Sequence, residues 1–217
     1  MIIKALLLDC DGVVVDSERL NFLCWEKALQ QIRNQASLKN LPYDCIIGIP
    51  LSEIFSLFED YLHTLFSETE RQQILKTKNN DYFKIGQSEL KPVDGIQTLM
   101  AQARQLEWKI YLVSSSIQEK LAFSLRTVNL HDAFDGIFCG KSGKTKNDSD
   151  VLQTIQRPNH EVVVIEDSPA GILAAQQADI KTIIAITTIF SKEELKEYSP
   201  TQIIKHYQEL DLNQLGQ

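Results

Sequence analysis

Residues 5–12 have the sequence Ala-Leu-Leu-Leu-Asp-Cys-Asp-Gly, and this stretch decides the fold. A short aliphatic run of this kind is typical of a strand that is buried on both faces of a sheet. The acidic residues that follow, Asp9 and Asp11, then lie where such a strand ends. The arrangement predicts a buried parallel strand with a polar site at its carboxyl end.

Similar aliphatic blocks recur along the chain and predict further strands at residues 110–113, 162–165 and 183–186. Helical patterns lie between them. Asp94 is a candidate N-cap for one helix, and Pro169, after Ser168, occupies the first position of another. Strands that alternate with helices predict an α/β fold, here a doubly wound, Rossmann-like parallel sheet.

One long stretch, from residue 17 to about residue 88, contains no convincing strand pattern. It predicts successive amphipathic helices, one over residues 51–61 and a later one opened by the capping box Ser67-x-x-Glu70. We therefore predict an α/β core domain formed by residues 1–15 and 89–217. An all-helical domain is inserted between these segments at residues 16–88.

The composition excludes several classes of partner. A net charge of -7 over 217 residues gives no general attraction to nucleic acid or to an anionic membrane surface. The N-terminal apolar stretch is short, and no apolar run reaches membrane-spanning length. The four cysteines include no C-x-x-C pair. We expect a cytoplasmic protein with thiol cysteines, a monomer or a weak dimer, that binds neither nucleic acid nor membrane.

Three polar clusters each follow a predicted strand directly: Asp9-Cys10-Asp11-Gly12, Ser114-Ser115-Ser116 and Glu166-Asp167-Ser168. Ligands of open α/β sheets bind beyond the carboxyl ends of the strands. If the three strands are neighbours, the three clusters converge on one crevice.

The residue types in these clusters indicate phosphoryl chemistry. Their carboxylates repel one another unless a cation lies between them, and all-oxygen ligands suit Mg²⁺. A carboxylate beside that cation can attack phosphorus, and a second one can act as general acid and base. Gly12 allows close approach of the backbone to phosphate, Ser114 and Ser115 offer donors for its oxygens, and a lysine would neutralise developing charge.

Each cluster also has an ordinary structural interpretation. A lone Asp-x-Asp-Gly is often a turn or part of a calcium loop, serines after a strand are often N-caps, and Glu-Asp-Ser-Pro is a good helix start. The presence of all three in order, each at a strand end, favours a functional site.

The motifs resemble those of the haloacid dehalogenase (HAD) superfamily. Asp9-x-Asp11-Gly12-Val13-Val14-x-Asp16-Ser17-Glu18, Ser114 and Glu166-Asp167-Ser168-x-x-Gly171 resemble its phosphoglycolate phosphatase and β-phosphoglucomutase branch. The resemblance implies Asp9 as nucleophile and Asp11 as acid and base. It implies Mg²⁺ held by Asp9, Glu166, Asp167 and the backbone carbonyl of Asp11. The helical insertion resembles the cap domain of that branch, which closes over the site. Dehalogenation is not expected, because dehalogenases lack the acidic residue found at Asp11.

The lysine motif of the family is usually Lys-Pro-x-x-Asp. Here Lys146-Asn147-Asp148-Ser149-Asp150 keeps the spacing without the proline, so Lys146, rather than Lys141 or Lys144, is the predicted catalytic and phosphate-binding lysine.

A rival interpretation of the same loop is a nucleotide-binding P-loop, Gly140-Lys141-Ser142-Gly143-Lys144-Thr145. That motif requires a glycine five residues before its Gly-Lys-Ser/Thr triplet. Those positions hold Phe138 and Asp135, so the P-loop is set aside.

Departures from the family bear on the reaction. The mutases carry a histidine where this chain has Asn21, and the segment Gly48-Ile49-Pro50-Leu51 lacks their basic residue. We therefore predict a phosphatase acting on a small phosphorylated metabolite through an aspartyl-phosphate. A sugar-phosphate mutase is the alternative. An idle binding module is a more remote alternative, and the intact Asp9, Asp11 and Asp167 argue against it.

Asp179 replaces the glycine that usually ends the helix after Pro169, and aspartate can adopt the same left-handed conformation.

Overall fold

The structure is a computed structural model that describes residues 3–34, 36–140 and 148–215. The chain divides into two compact units, one comprising Met1–Asp16 with Lys91–Gln217 and the other comprising Ser17–Leu90. The first unit carries the sheet, and the second is a single insertion in its sequence.

The α/β unit contains a six-stranded sheet formed by β1 (Ala5–Leu8), β4 (Lys109–Ser114), β5 (Gly136–Cys139), β6 (Val162–Glu166), β7 (Thr182–Ile186) and β8 (Gln202–Ile204). The strand order is β5-β4-β1-β6-β7-β8, and every recorded pairing in this sheet is parallel. Its helices are α4 (Ile96–Gln105), α5 (Gln118–Thr127), α6 (Asp148–Ile155), α7 (Pro169–Gln177) and α8 (Lys192–Lys196). A short antiparallel pair, β2 (Val15–Asp16) and β3 (Lys91–Pro92), joins the two ends of the insertion. The predicted fold class is confirmed.

The centre of the sheet positions the site. From β1 the chain proceeds to β4 and β5 on one side and later to β6, β7 and β8 on the other, so the strand order reverses at β1. Leu8 pairs with Leu112 of β4 and with Ile165 of β6, and the N–H of Asp9 donates to the carbonyl of Ile165 at 3.2 Å. Crevices for ligands form at such a reversal, beyond the carboxyl ends of the strands.

The central strands were predicted and the edge strands were not. All residues of β1, β6 and β7 are buried, which is why their sequences are continuous aliphatic runs. By contrast, β5 is half-exposed at one edge and contains Gly136, and β8 has only three residues at the other edge. Edge strands of this kind lack the aliphatic pattern that marks a buried strand.

Local sequence accounts for some of the helix starts in the structure. Ser168 caps α7 by accepting from the N–H of Gly171, with Pro169 at the first helical position, as predicted. The prediction of Asp94 as an N-cap was wrong, because α4 begins at Ile96 and its N-cap is Gly95. Gly95 has a φ of 83°, a left-handed conformation that glycine adopts readily, and this turn displaces the cap by one residue.

In the described part of Ser17–Leu90 all regular elements are helical: α1 (Glu18–Ile32), a 3-10 turn (Tyr43–Ile46), α2 (Leu51–Leu62) and α3 (Glu68–Glu89). The capping box of Ser67 and Glu70 is formed at the start of α3, as predicted. The unit has its own core, in which Trp25 packs edge-on against Phe55 and Phe58 at ring distances of 5.7 and 5.5 Å. In the described residues, no helix combines the length and apolar character needed to cross a membrane.

Candidate active site

Three predicted metal ligands come together at the carboxyl ends of β1 and β6. Carboxylate oxygens of Asp9, Glu166 and Asp167 all lie within 4.8 Å of one another. Glu166 and Asp167 are almost fully buried, with exposures of 1% and 2%. The strand register explains the grouping, because the pairing of Leu8 with Ile165 sets Asp9 beside Glu166.

This acidic group suits a hard divalent cation. Its members offer only oxygen ligands, which Mg²⁺ and Ca²⁺ prefer over the nitrogen and sulfur ligands typical of zinc sites. Three carboxylates so close together repel one another when ionised, and a cation between them removes that cost. The residues that could hold it through their side chains are Asp9, Glu166 and Asp167.

Gly12 lies directly against the acidic group. A Cβ at this position would come within 1.8 Å of Oδ2 of Asp167, and the φ of Gly12 is 80°. The tight turn is closed by hydrogen bonds from Gly12 N–H to the carbonyl of Val15 and from Val14 N–H to the carbonyl of Cys10. Only glycine satisfies both the conformation and the space, so the turn that carries Asp11 is built around Asp167.

Tyr207, from the C-terminal part of the chain, supports the same turn. Its buried hydroxyl donates to the carbonyl of Val13 at 2.7 Å. Burial, followed by the negative charges of Asp167 and Asp9, raises the pKa of Tyr207 well above its ordinary value. No sequence motif pointed to this residue, because its partner lies 194 positions away.

The carboxylate of Asp11 makes different contacts. It accepts a hydrogen bond from Oγ of Ser116 at 2.7 Å, and Nζ of Lys120 lies 3.1 and 3.0 Å from its two oxygens. Sequence reasoning missed Lys120. The only available signal was its position in the first turn of the helix that follows the serine cluster, which is weak by itself.

The serine cluster adopts a compact turn at the end of β4. Ser114 is the last residue of the strand, is 3% exposed, and its Oγ accepts from the N–H of Ser116 at 3.1 Å. Ser115 is exposed at the same strand end. The cluster therefore lies at the carboxyl edge of the sheet, one strand away from Asp9.

The predicted lysine lies outside the described residues, as do Lys141, Lys144 and most of the rejected P-loop motif. The structure resumes at Asp148, which begins α6, and Asp150 lies in its first turn. The helix after the lysine motif is thus present, while the contacts of Lys146 stay a prediction.

Comparisons with known proteins agree with this architecture. A model of the haloacid dehalogenase-like hydrolase family matches residues 6–185. A β-phosphoglucomutase of Bacillus subtilis is 30% identical over 190 residues, which cover 81% of this chain and 80% of that protein. A phosphorylated carbohydrates phosphatase of Thermotoga maritima is 27% identical, with 84% of this chain and 85% of that protein covered.

Among solved structures, a HAD hydrolase, family IA, variant 3, from Entamoeba histolytica superposes with a TM-score of 0.82 at 20% identity, covering 98% of this chain and 97% of that one. At that identity the likeness concerns the fold. The family match extends over both the α/β unit and the insertion and includes the whole acidic group, Asp9, Glu166 and Asp167. Sequence motifs, sheet topology and site geometry thus agree that the chain belongs to the haloacid dehalogenase-like hydrolase family.

Proposed function

We propose that this protein is a Mg²⁺-dependent phosphatase that hydrolyses a small phosphomonoester through an aspartyl-phosphate at Asp9. The observation that carries the proposal is the clustering of Asp9, Glu166 and Asp167 within 4.8 Å at the strand-order reversal. Phosphatases and a phosphoglucomutase among the relatives support the reaction class.

In the first step, a carboxylate oxygen of Asp9 forms a bond to phosphorus while the bond from phosphorus to the leaving oxygen breaks. Asp11 gives its proton to that oxygen, which departs as an alcohol. In the second step, Asp11 takes a proton from water as the water oxygen attacks the phosphorus of the acyl phosphate. Inorganic phosphate leaves, and the carboxylate of Asp9 is restored.

The remaining residues have supporting roles in the proposal. Asp9, Glu166, Asp167 and the backbone carbonyl of Asp11 would hold Mg²⁺, which when bound neutralises phosphate charge and aligns the phosphoryl group. Gly12, Ser114, Ser115 and Lys146 would bind the phosphate oxygens. A cytoplasmic location is also part of the proposal, because none of the four cysteines forms a disulfide in the described structure.

A sugar-phosphate mutase is the second candidate, favoured by the relative at 30% identity whose name is β-phosphoglucomutase. The residues of the helical unit favour hydrolysis. Asn21 lies on α1, where its side chain donates to Glu18 at 3.3 Å, and an amide does not exchange protons usefully near neutrality. Ile49 and Leu51 offer apolar surface where the mutases have a basic residue. We assign the helical unit the role of a cap that sets a modest selectivity.

Two assays run side by side test the proposal. Phosphate release from a panel of phosphorylated metabolites is measured with Mg²⁺, with Ca²⁺ and with EDTA. Conversion of β-glucose 1-phosphate to glucose 6-phosphate is followed in a coupled assay, with and without a bisphosphate primer. We expect phosphate release from several substrates with Mg²⁺, less with Ca²⁺, none with EDTA, and no isomerisation.

Other outcomes would select other functions. Efficient isomerisation with negligible phosphate release would promote the mutase. Full activity in a metal-free preparation would show that the acidic group has another purpose. Inactivity toward the whole panel, with metabolites still bound, would favour the idle binding module.

A further inference from the structure

Lys120, the third residue of α5, has no role in the proposed function, yet it contacts one of the proposed catalytic residues. Its ammonium group lies 3.1 and 3.0 Å from the two oxygens of Asp11 and 3.4 Å from Oγ of Ser116. Ser116 in turn donates to Oδ2 of Asp11 at 2.7 Å. Asp11 is therefore held by two donors that come from one short segment, 105 and 109 positions further along the chain.

The contact is sheltered from solvent. The side chains of Lys120 and Asp11 are 16% and 13% exposed, whereas the Lys109–Asp135 pair of the same unit has a lysine that is 53% exposed. An ion pair with little solvent exposure is screened less by water and salt than a surface pair. The Lys120–Asp11 contact can thus fix a geometry that a surface pair would not.

Both donors come from the connection between β4 and the start of α5. Ser116 precedes Ile117, the N-cap of α5, and Lys120 lies in the first turn of that helix. The segment follows Ser114 at the end of β4, next to β1 in the sheet. Sheet order therefore brings this segment to the loop that carries Asp11.

We propose that Lys120, with Ser116, is a positioning residue that holds the carboxylate of Asp11 where it exchanges protons with the leaving group and with water. The inference rests on the proposed function, in which Asp11 is the acid and base. Asp11 lies on a turn, and a displacement of about 1 Å in a catalytic group can cost on the order of 10²-fold in rate. The contacts of Lys120 and Ser116 with the Asp11 carboxylate restrict that displacement.

The role differs from that of a lysine that binds phosphate, and the two can be told apart by the leaving group. Proton donation matters for an alkyl phosphate, whose alkoxide is a poor leaving group, and matters little for p-nitrophenyl phosphate. Because kcat/KM reports the steps up to release of the alcohol, a residue that acts through Asp11 should affect kcat/KM mainly for the alkyl substrate.

The experiment compares wild type, Lys120→Met, Lys120→Arg and Ser116→Ala on glycerol phosphate and on p-nitrophenyl phosphate. For Lys120→Met we expect kcat/KM to fall roughly 10- to 100-fold on glycerol phosphate and less than about threefold on p-nitrophenyl phosphate. Ser116→Ala should show the same pattern more weakly, and Lys120→Arg should restore part of the loss. The affinity for inorganic phosphate, measured by calorimetry, should stay at the wild-type value.

Lys109→Met is the matched control, because it removes an ammonium from a carboxylate at the opposite end of β4. It should leave both substrates unaffected. Equal losses on the two substrates together with weaker phosphate binding would overturn the proposal and make Lys120 a phosphate ligand. Unchanged kinetics in Lys120→Met would also overturn it.

Two further comparisons keep the result decisive. Thermal denaturation shows whether Lys120→Met is folded. If it is not, Lys120→Arg and Ser116→Ala provide the test. The proposal would then be overturned if both variants have the wild-type ratio of kcat/KM on glycerol phosphate to kcat/KM on p-nitrophenyl phosphate. Absence of phosphate release by the wild type would overturn the proposed function itself. An active wild type with an unaffected Lys120→Met would overturn only the role of Lys120.

Discussion

Gly171 lies directly against the carboxylate of Glu166: a Cβ at position 171 would come within 2.0 Å of Cδ and Oε2 of that side chain. The N–H of Gly171 donates to Oγ of Ser168 at 3.1 Å, and Oγ of Ser168 lies 3.3 Å from Oε2 of Glu166. The first turn of α7 is therefore shaped around Glu166. The missing side chain of Gly171 makes room for one member of the acidic group.

We predict that Gly171→Ala will raise the Mg²⁺ concentration needed for half-maximal activity by at least about tenfold, because the added methyl group displaces Glu166. Alanine would otherwise favour the helix by about 0.5–1 kcal/mol, so the loss cannot come from helix propensity. The measurement is a Mg²⁺ titration of phosphate release, with metal binding followed in parallel by calorimetry.

Gly136→Ala, on the edge strand β5, is the control, since a Cβ there would approach no atom closer than 3.1 Å. It should leave the Mg²⁺ requirement unchanged. If Gly171→Ala needs the same Mg²⁺ concentration for half-maximal activity as wild type, Glu166 does not contribute to the metal site.

Replacement of the nucleophile should abolish turnover. Asp9→Asn cannot form the acyl phosphate, so we expect less than roughly one per cent of wild-type phosphate release and no phosphoenzyme after acid quenching. Asp132→Asn, at a position whose side chain is 89% exposed, should behave as wild type. Residual activity above that level would show that Asp9 is not the nucleophile.

Among the lysines outside the described residues, Lys146→Ala should reduce kcat by about 10²- to 10³-fold, because the lysine that touches phosphate stabilises charge in the transition state. Lys141→Ala and Lys144→Ala should have small effects. The spacing from Lys146 to Asp150, which lies in the first turn of α6, motivates the choice. If Lys144→Ala instead causes the large loss of kcat, the phosphate-binding lysine is Lys144, two residues before the predicted position.

The stability of the helical unit should depend on pH through Glu59. Its carboxylate accepts from Arg71 Nη2 at 2.8 and 2.9 Å and from the N–H of Phe66 at 2.8 Å. Burial by itself raises the pKa of Glu59, but the hydrogen bonds from Phe66 and Arg71 and the charge of Arg71 outweigh burial and hold the pKa below its ordinary value. The stabilisation is therefore present above the unfolded-state pKa of about 4.3 and is lost as the pH falls through the lower folded value.

We predict that Glu59→Gln lowers the Tm at pH 7 by about 2–8 °C. The difference from wild type should shrink as the pH falls below about 4, where wild-type Glu59 becomes protonated. Glu53→Gln, an exposed residue on the same helix, should change the Tm little at any pH. A Tm deficit for Glu59→Gln that is constant down to strongly acidic pH would contradict the assignment.

Parts of the fold could be predicted because their cause is local. The continuous aliphatic runs of β1, β6 and β7 reflect burial on both faces. The capping box of Ser67 and Glu70 marks the start of α3, and Ser168 followed by Pro169 marks the start of α7, where Ser168 accepts from the N–H of Gly171. Asp179 indeed adopts a left-handed conformation, with a φ of 56°, just after α7, as its place at the helix end predicted.

Other parts could not be predicted, because their cause lies elsewhere in the chain. The edge strands β5 and β8 gain their place from pairing with β4 and β7, and their own sequences carry little periodicity. Asp94 is a good N-cap by type, yet the left-handed turn at Gly95 moves the start of α4. Strand pairing and turn geometry, rather than the intrinsic preferences of the residues, determined where these elements lie.

The sequence by itself determined the fold class and the identity of the acidic residues, because carboxylates directly after buried parallel strands can only lie at one edge of the sheet. Tertiary structure alone decided what surrounds them. It set Lys120 and Ser116 on Asp11, the hydroxyl of Tyr207 on the carbonyl of Val13, and Gly12 against Asp167. These contacts join segments about 100 to almost 200 residues apart, and only the packed sheet brings such segments within hydrogen-bonding distance.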